Sequence, residues 1–141
     1  MIYILIAMLL YSCVIILGAL ASRNTSVVIS AAITNLISAL IPVSMAIPLI
    51  DKKTLSQDKK GIIFAFLTGI AIAFFVLSIN KAYAANKVGI VAPMVFGGAI
   101  FVSTILSYAF LKEKVSTLQF GGLLILALGF CVITYARATG R

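Results

Sequence analysis

The sequence predicts an all-α integral membrane protein with five transmembrane helices, and three observations predict it. Hydrophobic residues make up 63% of the 141 positions and charged residues only 10%. With a mean hydropathy of +1.24, the chain carries more apolar surface than a domain of this size can hide from water. The apolar residues fall into five long runs, about 2–21, 26–50, 61–79, 89–111 and 118–136, with most charges gathered in short islands between them. A helix needs roughly 20 mostly apolar residues to cross a hydrocarbon core about 30 Å thick, and each run comes close to that length or exceeds it. Lipid-facing strands would alternate in character. These runs do not, so helices are expected rather than a barrel.

The first run ends in "GALAS", an A-x-A pattern like that of a signal-peptidase site. It is expected to be retained, because only the amino terminus supplies positive charge before it and it is longer than a signal core. The second run carries Pro42 and Pro48 in its C-terminal half. A proline removes a backbone donor and crowds the preceding turn, which predicts a bend or an early end; a packing kink without functional weight is the alternative. The polar loop "DKKTLSQDKK", Asp51 to Lys60, follows. In the third run, "SINKAYAANK" continues the helix towards a small-residue break at Ala82 to Gly89. The island "KEKVSTLQ" is read as the water-exposed turn before the fifth helix, with Ser116 or Thr117 as its cap.

The composition also argues against several function classes. A net charge of +8 could suggest nucleic acid, but the eleven Lys and Arg are spread thinly and form no single basic face. Histidine is absent, and Cys13 and Cys131 lie inside apolar runs where a thiol behaves as a small hydrophobe. No disulfide, metal or cofactor is expected. No nucleophile, base and orienting group come together, which argues against an enzyme.

With five spans, one side of the membrane receives six basic residues (Lys52, Lys53, Lys59, Lys60, Lys112, Lys114) and the other five (Arg23, Lys81, Lys87, Arg137, Arg141). Orientation follows the Lys and Arg bias of short loops, so this tally specifies almost nothing. Either the chain inserts both ways up, or a few loop positions fix one topology.

From Phe74 onward, the stretch "FFVLSINKAYAANKVGIVAPMVFGGAIFVSTILSYAFLKEKVSTLQFGGLLILALGFCVITYAR" resembles the carboxyl-terminal part of an EamA-type half in the drug/metabolite transporter superfamily. More loosely, it is similar to the last three helices of small multidrug resistance proteins. The matching features are the small-residue break, Pro93 early in the next helix, Glu113 after a leucine-rich run, and Gly121 and Gly122 opening the last helix. Five helices are also the size of one such half, and full-length members look like two halves in inverted orientation. The resemblance therefore implies one half of an inverted-repeat transporter, pairing as an antiparallel homodimer or with another half-size protein. Small multidrug resistance proteins carry a glutamate within their first helix. Here Asp51, Asp58 and Glu113 all fall in turns, so proton-for-cation exchange on a buried carboxylate is not expected.

Several residues carry two readings. Lys81 either snorkels to the headgroups or faces a cavity, where it would favour anionic or polar neutral solutes. Asn35, with Ser38 and Ser44 beyond it on the second helix, either bonds a neighbouring helix or lines a solute path. Tyr3, Tyr108 and Tyr135 read as interfacial anchors, whereas Tyr83 beside the break is a pathway candidate, as is Pro93. Gly122 and Gly129, seven apart, share a helical face, and Gly97 with Gly98 makes a second small patch. Both patches read as packing or dimer-interface positions. Glu113 is either a local ion pair with its flanking lysines or a structural part of its turn, the role its match to the family implies.

The expectation is a half-size transporter in the cell membrane, the inner membrane if bacterial, moving a small solute or lipid-linked metabolite as a dimer. The alternative is a non-transporting accessory subunit of a larger membrane complex.

Overall fold

The computed structural model describes residues 2–49 and 59–139, those at 49, 59, 137 and 138 by backbone alone. All five expected helices are present, each long and apolar enough to cross a membrane, and no strand occurs among the described residues. The loop Asp51 to Lys60, with both of its aspartates, falls almost wholly outside the described residues, as does Arg141. The chain divides into two compact units, Met1–Ala85 and Asn86–Arg141.

The first unit contains α1 (Ile2–Asn24), α2 (Val27–Ala46) with a 3₁₀ turn at Ile47–Leu49, and α3 (Lys59–Ala85). Asn24 ends α1 by donating its side-chain amide to the Leu20 carbonyl at 2.7 Å, satisfying a carbonyl that the helix terminus leaves orphaned. Pro42 is held inside α2 and Pro48 lies in the 3₁₀ turn, so the second run leaves α-helical geometry at Ala46 rather than at its apolar limit. Each helix of this unit meets the other two, but the tight packing is concentrated at one end. The buried residues are Ala19 and Ser22 of α1, Ser30 and Ala31 of α2, and Ile79, Asn80 and Tyr83 of α3. Small side chains let the α1 and α2 backbones approach closely here, which is how helices associate where lipid supplies no hydrophobic drive. Away from this end, large apolar side chains such as Leu9, Leu36 and Phe66 remain exposed.

The second unit is a helical hairpin of α4 (Val88–Leu106), which widens into a π turn at Ser107–Leu111, and α5 (Thr117–Ala138). Lys112 closes the π turn with φ 55°, the one described non-glycine residue with positive φ. That left-handed conformation costs roughly 1–2 kcal/mol for an L-residue. It is held by hydrogen bonds from the Lys112 and Glu113 amides to the Ser107 carbonyl. Ser116 starts α5, its hydroxyl accepting from the Gln119 amide at 3.2 Å and its carbonyl from the Phe120 amide at 2.9 Å.

Candidate functional site

The first unit holds a buried polar cluster where α1 ends, α2 begins and α3 ends. Asn80 donates its side-chain amide to the Ser30 hydroxyl at 3.3 Å, with Asn80 only 4% exposed. Ser22 turns its hydroxyl to the Gly18 carbonyl of its own helix at 2.6 Å. Arg23 donates from Nε to the Tyr83 carbonyl at 3.3 Å, one of the last four carbonyls of α3, where positive charge also complements the helix dipole. Tyr83 itself is 2% exposed, and its hydroxyl has no hydrogen-bond partner among the described residues. Two inter-helix hydrogen bonds thus tie α3 to both of its neighbours, and a buried phenol is left available beside them.

Sequence reading singled out Tyr83 here but missed Asn80, Ser30, Ser22 and Arg23. The available signal was one or two polar residues per helix near a helix end, which is also the ordinary signature of a span reaching water.

Lys81 lies one residue beyond Asn80 but is exposed, four residues before the end of α3. Asn35 is half-buried on α2, five residues beyond Ser30 and so about 7 Å further along the helix axis. It is the ninth residue of the 20 in α2, which places its carboxamide close to the middle of the span. The hydroxyls of Ser38 and Ser44 turn back to the Asn35 and Ile41 carbonyls of α2 at 3.1 and 2.7 Å.

Pro93, Gly97 and Gly129 come together in the second unit. They line an apolar groove of about 270 Å³ between α4 and α5, with Phe96, Leu126 and Phe130. A Cβ on Gly97 would stand 3.7 Å from the Phe130 ring, an ordinary contact, whereas one on Gly98, Gly122 or Gly129 would meet nothing within 4 Å. Glu113 sits at the far end of the hairpin, where its carboxylate accepts a hydrogen bond from Ser107. Among the described residues no group of His, Cys, Asp and Glu stands together as a metal site, and Cys13 and Cys131 are free.

No curated protein and no solved structure matches the chain. The sequence profile of one family, described as the EamA-like transporter family, matches residues 1–135, nearly the whole length and all five spans. With its five membrane-length helices, the chain therefore belongs to the EamA-like transporter family, part of the drug/metabolite transporter superfamily.

Proposed function

We propose that the chain is a half-size transporter of the cell membrane. Two copies in opposite orientation carry a small solute or lipid-linked metabolite across it by alternating access. Transporter sites of inverted-repeat architecture lie near the bilayer midplane between repeats, and five spans supply one repeat.

The observation that carries this reading is Asn35. Its carboxamide stands near the middle of a span, half-buried, where an amide without a partner costs several kcal/mol in hydrocarbon. A solute path lined by Asn35 supplies that partner in water or cargo. The cluster at Ser30, Asn80 and Arg23 gives the same unit a fixed end about which the more loosely packed remainder of α1, α2 and α3 can rearrange. On this reading Tyr83 offers its hydroxyl to the path, Lys81 anchors α3 at the headgroups, and Pro93 shapes the groove of α4.

The test needs no knowledge of the cargo. In a version lacking Cys13 and Cys131, Asn35→Cys is expected to react with a small membrane-impermeant thiol reagent, while Leu36→Cys on the exposed apolar face does not. Equal silence at both positions would remove the midplane path and leave the accessory-subunit reading.

A further inference from the structure

The end of the α4–α5 hairpin carries two adjoining cavities of opposite character, each of about 350 Å³. One is apolar, lined by Phe101 and Ile105 of α4 and by Phe120, Leu124 and Ala127 of α5. The other is polar, lined by Ser103, Ser107, Glu113, Lys114 and Gln119. Thr104 and Val115 line both, so the two share a wall.

We infer that this pair of cavities is a seat for one phospholipid with a primary ammonium in its headgroup, of the phosphatidylethanolamine class. The acyl chain occupies the apolar groove and the headgroup the polar pocket. The inference concerns the second unit alone and does not depend on what is transported.

Dimensions argue first for an acyl chain. Ala127, the deepest lining residue on α5, lies ten residues beyond the helix start at Thr117, about 15 Å along the axis. That is half of a hydrocarbon core about 30 Å thick, the depth of one leaflet. A partner helix would instead need a groove running the full span.

Hydrogen-bonding capacity then selects the headgroup. The hydroxyls of Ser103 and Thr104 donate to the Ile100 carbonyl at 3.0 and 2.8 Å, and that of Ser107 donates to Glu113. Their protons are spent, so towards the pocket these three oxygens and the second carboxylate oxygen of Glu113 act as acceptors. Such a set fits a group that brings several N–H donors, and a primary ammonium brings three. Lys114 stands on the same pocket and matches the phosphate one linker away. One acid beside one base therefore complements a zwitterion. A choline headgroup has no N–H to donate, and a glycerol headgroup brings the phosphate charge without an ammonium to offset Glu113.

The full chain, purified in detergent and stripped of lipid, is titrated with phosphatidylethanolamine, phosphatidylcholine and phosphatidylglycerol of matched acyl chains, and bound lipid is counted by native mass spectrometry. Phosphatidylethanolamine should be retained at least about fivefold over both others, a factor within reach of one charge-assisted hydrogen bond at a wet surface. Glu113→Gln, whose side-chain oxygen still accepts from Ser107, should bring it down to the phosphatidylcholine level. Ala127→Trp, which fills the groove away from the turn, should lower retention of all three. Equal retention by the parent would reduce the site to an apolar groove and overturn the proposal. So would a preference for phosphatidylglycerol, or a phosphatidylethanolamine preference that survives Glu113→Gln. Should Glu113→Gln fail to fold, undiminished phosphatidylethanolamine binding by Ala127→Trp overturns it independently.

Discussion

Two neighbouring buried residues of α3 stand in opposite situations, and substitution should separate them. Asn80 spends its side-chain amide on Ser30 of α2, and inter-helix hydrogen bonds of this kind contribute about 1 kcal/mol in membranes. Asn80→Ala is therefore predicted to lower thermal stability in detergent by about that amount, plus a packing loss, whereas Leu36→Ala on the exposed face of α2 should do little. Tyr83 keeps a hydroxyl without a partner among the described residues at 2% exposure. Removing an unsatisfied buried group is neutral or stabilising, so Tyr83→Phe is predicted to match or exceed the parent in the same melt. A clear loss on Tyr83→Phe would mean that water or a neighbouring chain already satisfies the hydroxyl. Arg23 binds α1 to the last turn of α3 through the Tyr83 carbonyl, and Arg23→Gln should loosen that joint by less than Asn80→Ala because Arg23 is exposed and its charge is screened.

The same logic at the scale of helices divides the glycines into two kinds. Gly97 faces the Phe130 ring at ordinary contact distance, so Gly97→Ala should be tolerated, while Gly97→Leu should force α4 from α5 at a cost on the order of 1–3 kcal/mol. Gly122 and Gly129 open onto space in this chain. Gly122→Leu is therefore predicted to leave the melt of the isolated chain near the parent's and to act on the size of the assembly in light scattering, because the proposed interface would be filled, whereas Gly129→Leu also enters the α4–α5 groove that Gly129 lines and should shift the melt. An unchanged assembly in both variants would take these glycines off any interface. The helices themselves were legible in the sequence, because only an unbroken apolar run of bilayer length satisfies every backbone group in lipid. A cap at Ser116 or Thr117 was legible too, since a hydroxyl before a helix satisfies its orphan amides, and Ser116 takes that role. The continuation of α3 through "SINKAYAANK" was legible as well, and the helix runs to Ala85, but the burial of Asn80 was not. Nor was the packed end of the first unit. Lipid-facing and helix-facing positions are both apolar, so hydropathy leaves no stripe to mark the faces on which Ala19, Ala31 and Ile79 are buried.

For the whole molecule, the proposed function rests on two copies lying in opposite senses in one membrane. The loops carry six basic residues on one side and five on the other, a difference too small to dictate orientation. A few lysines added to one side should then drive every copy into one topology and abolish any cross-link specific to the antiparallel dimer, and co-expression with an oppositely biased version should restore it. The most direct measurement places a single cysteine at Thr139, which is exposed beyond the end of α5, in a version lacking Cys13 and Cys131. A membrane-impermeant thiol reagent is applied to intact cells and then again after permeabilisation. Opposed insertion predicts that about half of the copies react before permeabilisation and the remainder only after it. Reaction of all copies, or of none, in the intact cells would contradict an antiparallel homodimer.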